Sequence, residues 1–156
     1  MTVRSADIGE APALAALHAQ CFHEIWNAAA ITELMAAPGT FALIDADQTG
    51  FILVRAAGEE CEVLTLAVTP AARRRGVATA LVRAAAERAA EANAAAMFLE
   101  VNATNNPAIT LYKRLGFAQV GLRKGYYAVP HGMREDALVL RASIPLLRVG
   151  FFLQLG

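Results

Sequence analysis

Between Val63 and Val101 the chain passes from an apolar run, Val63 to Val68, through a basic turn, Arg73-Arg74-Arg75-Gly76-Val77-Ala78, into an alanine-rich stretch from Thr79 to Ala92. It then enters a second apolar run, Ala96 to Val101. A strand, a helix and a further strand in this order make a right-handed crossover, which predicts two parallel neighbouring strands in one sheet. The helical stretch carries Val77, Leu81, Val82, Ala85 and Ala89 on one side and Arg83, Glu87, Arg88 and Glu91 largely on the other, so one face seeks a core and one seeks water. An all-helical or purely antiparallel architecture is excluded by this unit alone.

The rest of the chain supplies elements on both sides of the crossover. Thr2 to Ser5 reads as a short strand, and Asp7 can cap a helix running to about Phe22, with Ala13, Leu14, Leu17 and Cys21 at helical spacing. A second helix, Ala28 to Ala37, ends at Pro38-Gly39. Three strands follow, Phe41 to Ala46, Phe51 to Ala56 and Cys61 to Val68, separated by Asp- and Gly-containing turns. Beyond the crossover, Asn106 is read as the N-cap of a helix with Pro107 in its first turn and Gly116 just past its end. Phe117 to Leu122 and Ala137 to Ala142 close the sheet. The expected fold is a single mixed α/β domain: a mostly antiparallel sheet of about seven strands, flanked by about four helices, with one parallel pair. The domain is expected over 1–143, with an apolar tail, 144–156, packed on the body or on a second subunit.

Composition narrows the function. Lys plus Arg and Asp plus Glu each number 14, giving no net charge and no global basic field of the kind that binds nucleic acid. Cys21 and Cys61 form no CxxC pair and follow no leader segment, which predicts reduced thiols, a cytoplasmic location and no structural metal. No uninterrupted apolar run reaches the roughly 20 residues that span a bilayer.

A basic, glycine-containing turn that opens a helix offers free backbone N–H groups and a positive helix end to an anion, phosphate above all. The turn has neither the Lys-Ser/Thr pair of the nucleotide triphosphatase loop nor the three spaced glycines of the dinucleotide fingerprint. With Arg73, Gly76 and Ala78 in the defining places it follows Arg/Gln-x-x-Gly-x-Gly/Ala, and it resembles the pyrophosphate loop of the GNAT acetyltransferases. Asn102 to Phe117 is similar to the Asn-x-x-Ala-x-x-Leu-Tyr-x-x-x-Gly-Phe segment of the same superfamily. Phe98-Leu99-Glu100-Val101, Tyr126-Tyr127 and Gly132-Met133-Arg134-Glu135-Asp136-Ala137-Leu138 look like its ribosomal-protein-alanine N-acetyltransferase branch, a likeness covering roughly residues 60 to 140.

The resemblance implies a parallel strand pair splayed at the cofactor site and acetyl-CoA as cosubstrate, gripped through Leu66, Ala67, Val68, Arg73, Arg74, Arg75, Gly76, Val77, Ala78, Thr79 and Asn105. It implies Glu100 as general base and Tyr112 as general acid, and a protein or peptide N-terminus, that of a ribosomal protein, as acceptor. Read from the residues alone, Glu100 is an acid out of place in an apolar strand, which faces a solvated groove, pairs with an arginine, or serves as a base of raised pKa. Tyr112 falls on the inward side of its helix among Ala108, Ile109, Leu111 and Leu115, where a core tyrosine is the commoner case. Asn102 stands where the branch has arginine, and Met133 is an extra residue between Gly132 and Arg134. Both departures leave open a small amine or a lysine as acceptor, and a third reading makes the chain a coenzyme-binding interaction module. A monomer or weak homodimer is expected.

Overall fold

A computed structural model describes residues 2–128 and 132–148. Its element order is β1 (Val3–Ala6), α1 (Ala11–Ala19), α2 (Ala28–Ala36), β2 (Thr40–Asp45), β3 (Gly50–Ala57), β4 (Glu60–Val68), α3 (Val77–Glu91), β5 (Ala96–Asn102), α4 (Asn106–Leu115), β6 (Ala118–Ala128) and β7 (Arg134–Ser143). The seven strands form one sheet in the order β1-β2-β3-β4-β5-β7-β6. Every neighbouring pair is antiparallel except β4 with β5. The expected mixed sheet with one parallel pair is the sheet observed.

Each face of the sheet carries its own core. On one side Leu81, Val82, Ala85, Ala86 and Ala89 of α3 pack with Tyr112 and Leu115 of α4 against Ile52, Val54, Met97, Leu99 and Leu140. On the other, Ala11, Leu14 and Leu17 of α1 and Ile31 of α2 cover Ala42, Ile44, Phe51 and Leu53. Leu81 and Val82 are fully enclosed, and burial of each contributes about 1.5–3 kcal/mol.

Several boundaries differ from the sequence reading, for local reasons. The Asp7 cap holds a 3-10 turn, Ile8–Glu10, closed by a capping box with Glu10, and α1 proper begins after it. Ala13, at helical spacing, is nevertheless exposed. The N-cap of α4 is Asn105, whose Oδ1 accepts from the Ala108 N–H at 3.3 Å, and the neighbouring Asn106 is already helical. Strand β6 extends past Leu122 to Ala128 through Lys124-Gly125. Gly125 has φ +60, and its N–H donates to Asp136 Oδ1 at 2.8 Å, which keeps the bulged segment on β7.

After Ser143 the backbone forms a helical turn over residues 144–148, in which Ile144 and Leu147 are buried in the α3/α4 core. The Ile144 N–H donates to Ala95 O at 2.9 Å, and Arg148 pairs with Glu87 of α3 at 2.9 Å. Gly116, at φ +112, ends α4 directly under Leu146, where a Cβ would meet Cδ2 at 2.6 Å. Of the apolar tail, residues 149–156 lie outside the described residues. Among the described residues no helix is long and apolar enough to cross a membrane.

Candidate active site

The two parallel strands part almost as soon as they meet. Pairing of β4 with β5 covers only Glu60↔Ala96, Cys61↔Met97 and Glu62↔Phe98. From Val63 onward β4 stays with β3, while β5 stays with β7. The parallel pair is thus splayed, as expected: it is paired only at its start, and along Val63 to Val68 the strands diverge and open a cleft. A bulge accompanies the divergence: Val54 faces Val63 and Leu53 faces Thr65, which leaves Leu64 unpaired. One extra residue reverses which face each side chain takes. Cys61 and Val63 before it belong to the α3/α4 core, as do Leu66 and Val68 after it, whereas Leu64 and Ala67 belong to the α1/α2 core.

Backbone direction on β4 follows from alternation. The Thr69 N–H donates to Thr49 O on the β3 side, so Ala67 also turns its amide to β3, and Leu66 and Val68 turn theirs to the cleft. The Val68 carbonyl on that edge accepts from Arg73 Nε at 3.1 Å and from the Cys21 thiol at 3.3 Å.

A 3-10 turn, Pro70–Ala72, leads from β4 into the basic loop. Arg74 at φ +65 and Gly76 at φ +82 take left-handed conformations that swing the chain into α3, two residues earlier than the sequence suggests. No side chain caps this helix, and its first internal bond runs from Ala80 N–H to Gly76 O at 3.0 Å. The amides of Val77, Ala78 and Thr79 therefore have no acceptor within the helix and mark its positive end. A Cβ at Gly76 would meet nothing within 4 Å. Glycine is demanded here by the left-handed backbone and not by crowding from the protein, and the free space lies in front of the amides. Arg74 and Arg75 are exposed beside it.

Strand β5 turns Met97, Leu99 and Val101 into the core and thus Phe98, Glu100 and Asn102 to the opposite face. Glu100 is mostly buried, its side chain 16% exposed, and Oε1 lies 3.0 Å from Arg123 Nε. Arg123 reaches it from β6 across the intervening β7: Glu100 is level with Val139, and Arg123 with Ala137 two positions away. The pKa of the nearby Tyr126 hydroxyl is raised by burial first and by the Glu100 charge second. Arg123 also lies over the Tyr126 ring, 5.3 Å from its centroid. Beside it, burial and then the charge of Glu100 push the Tyr127 hydroxyl up to about 12.

Tyr112 lies on the other face of the sheet, in the α3/α4 core. It is buried on α4 with its ring edge-on to Phe117 at 5.7 Å. Burial drives its pKa well above the usual phenol value, and the charge of Tyr127 adds to this. Tyr112 thus feels Tyr127, which in turn feels Glu100. Of the other sequence-predicted residues, Asn105 spends its Oδ1 on the α4 cap. Asn102 spends its own on Thr104, accepting from N at 2.9 Å and from Oγ1 at 2.8 Å. Met133 is 68% exposed beside Gly132 at φ +81.

Sequence reasoning left out Arg123, which only the placement of β7 between β5 and β6 brings to Glu100. It also left out the segment after α1, where Glu24 acts electrostatically on both Tyr127 and His18. The i, i+4 spacing of His18 and Phe22 was the one available signal for that segment.

Residues 11–117 match the acetyltransferase (GNAT) family. The chain is 32% identical over 96 residues to the ribosomal protein bS18-alanine N-acetyltransferase of Escherichia coli K12, covering 62% of this chain and 64% of that relative's length. It is 41% identical over 83 residues to an N-alpha-acetyltransferase of Sulfurisphaera tokodaii, covering 53% of this chain and 47% of the relative. The crystal structure of the Escherichia coli ribosomal-protein-S18-alanine N-acetyltransferase superposes with a TM-score of 0.82 at 26% identity, covering 92% of this chain and 93% of that one. Ard1 from Thermoplasma volcanium follows with a TM-score of 0.78 at 25% identity, over 91% and 96% of the two chains. A splayed parallel strand pair, an uncapped helix end beside it and a family match over most of the domain agree, and the chain belongs to the GNAT acetyltransferase family.

Proposed function

We propose that this protein transfers an acetyl group from acetyl-CoA to the α-amine at a protein N-terminus, an alanine at the start of a ribosomal protein, in the cytoplasm. The observation that carries this reading is the mostly buried carboxylate of Glu100, paired with Arg123 on the face of β5 opposite Tyr112. A base and an acid that enter one cleft from opposite faces suit direct transfer, with no acyl-enzyme. The relatives' names, ribosomal protein bS18-alanine N-acetyltransferase and N-alpha-acetyltransferase, support an N-terminal acceptor.

In this mechanism the amides of Val77, Ala78 and Thr79, flanked by Arg74 and Arg75, hold the diphosphate of the cosubstrate. The cleft-side amides of Leu66 and Val68 polarise the thioester carbonyl. Glu100, directly or through one water, takes the proton released as the amine nitrogen bonds to the carbonyl carbon. Tyr112 gives its proton to the sulfur as the carbon–sulfur bond breaks. An α-amine of pKa about 8 is already partly neutral at pH 7, whereas a lysine near 10.4 is not. The gap of roughly 2.5 units, about 3.4 kcal/mol, makes the N-terminal acceptor the easier one to deprotonate.

Incubation with acetyl-CoA and Ala-starting peptides, followed by mass spectrometry of the peptide N-terminus, tests the reading. Acetylation of free small amines or lysines in preference to the peptides would overturn it. That second acceptor class is favoured by Asn102, whose carboxamide is committed to the turn after β5.

A further inference from the structure

We propose that His18 is a positioning residue for the acceptor: its ring, stacked between Phe22 and Trp26, holds the segment between them as a wall over the Glu100 side of the cleft. The proposal rests on the acetyl-transfer reading above.

His18 lies at the end of α1 and is 2% exposed. Its ring centroid is 4.5 Å from that of Phe22 with an interplanar angle of 27°, and 4.7 Å from that of Trp26 with an angle of 13°. Such near-parallel stacks contribute beyond the area they bury. The Phe22 N–H donates to His18 O at 3.2 Å, which sets Phe22 one turn along the same face. Trp26, by contrast, reaches the ring only after the three intervening loop residues His23, Glu24 and Ile25 have doubled back. Among the described residues no group satisfies the buried Nδ1, so the ring acts here through its faces. Burial also lowers its pKa, opposed by the charge of Glu24.

Two links tie this stack to the site. At its base the Cys21 thiol donates to the Val68 carbonyl, on the cleft edge of β4. Further along, the charges of Glu24 and Glu100 are both felt at Tyr127. The segment is therefore anchored on the cleft edge of β4, and it follows α1 on the face of the sheet to which Glu100 turns. Phe22 and Ile25 are 42% and 75% exposed, leaving apolar surface on the wall for an acceptor to meet. A wall displaced by even about 1 Å costs productive placement of the amine, while the amides of Val77, Ala78 and Thr79 that grip the cosubstrate lie outside it.

The test uses the whole chain and the variants His18→Ala and His18→Phe, read in two ways. Trp26 is the only tryptophan, so acrylamide quenching reports the stack without any acceptor: His18→Ala is expected to raise the quenching constant about threefold and His18→Phe to leave it near wild type. Steady-state kinetics then use whichever amine the wild type acetylates. His18→Ala is expected to raise the KM for that amine about tenfold, with the KM for acetyl-CoA unchanged, and His18→Phe to restore it. A folded His18→Ala protein with wild-type quenching or wild-type acceptor KM overturns the proposal, as does a His18→Phe protein no better than His18→Ala. Should His18→Ala fail to fold, Trp26→Phe carries the kinetic arm, and replacing Trp26 with alanine must then give the KM defect that Trp26→Phe lacks. Failure of Ala-starting peptides as acceptors would count against the proposed function alone.

Discussion

Replacing Gly76 by alanine separates two demands that meet at the start of α3. The residue has φ +82, and a Cβ there touches no protein atom within 4 Å. The cost to the free protein is thus conformational only, about 1–2 kcal/mol for an L-residue in the left-handed region. For a domain of this size that lowers the melting temperature by about 2–8 °C. In the complex the added methyl stands where the diphosphate must approach the amides of Val77, Ala78 and Thr79. Loss of one or two hydrogen bonds to a charged group costs about 2–4 kcal/mol, or roughly 30- to 700-fold in acetyl-CoA affinity. Gly58→Ala is the control, because Gly58 is left-handed at φ +61, also has open space around it, and lies in the β3–β4 turn. It should lose the same few degrees in calorimetry and bind acetyl-CoA as the wild type does. The reasoning fails if titration calorimetry finds Gly76→Ala within twofold of wild-type affinity, or Gly58→Ala equally weakened.

The remaining expectations concern other parts of the molecule. Glu100→Gln and Tyr112→Phe should each lower turnover by about 10² or more with acetyl-CoA affinity nearly intact, and wild-type turnover at saturating substrate would remove the assigned role. Because burial raises the Tyr112 pKa, the folded protein keeps that proton past pH 10. No alkaline fall in kcat should come from Tyr112 below pH 10, and stability should decline only as pH rises beyond 10 toward the folded value, where the unfolded chain has already released its proton. Burial pushes the Cys61 thiol up to about 11, whereas Cys21 is half-buried; iodoacetamide at pH 8 should modify Cys21 first, as peptide mapping will show. Leu147→Ala should cost about 2–5 kcal/mol, since Leu147 is 1% exposed in the α3/α4 core, and an unchanged melting temperature would mean that the turn after β7 adds nothing.

The sequence made the crossover from β4 to β5 legible because its order leaves a single handed solution, and it marked α4 through Asn, Pro and Gly at the helix ends. Glu100 and Tyr112 could be singled out as an acid in an apolar strand and a tyrosine within a motif. What surrounds Glu100 could not. Arg123 lies 23 residues further on, as the numbering shows, and it becomes a neighbour only when β7 inserts beside β5 and β6 carries it back across. The Leu64 bulge was hidden because Glu60 to Val68 shows no break in composition, and a register slip belongs to two strands at once. The length of β6 was masked by Lys124-Gly125, which reads as a turn and is held as a strand by Asp136 from the facing chain. The His18 stack required a loop to fold back on itself.

The early parting of β4 from β5 leaves part of the sheet for a small molecule to complete. Two cleft-side amides of β4 and three at the start of α3 have no backbone acceptor among the described residues. Stability is then partly borrowed: at a free acetyl-CoA concentration about 100 times its dissociation constant, binding adds about 2.7 kcal/mol to the folded state. That corresponds to a rise of roughly 5–11 °C in melting temperature. A cell short of acetyl-CoA would hold the same chain in a looser form, with exchange of the Leu66 and Val68 amide hydrogens as the gauge of supply.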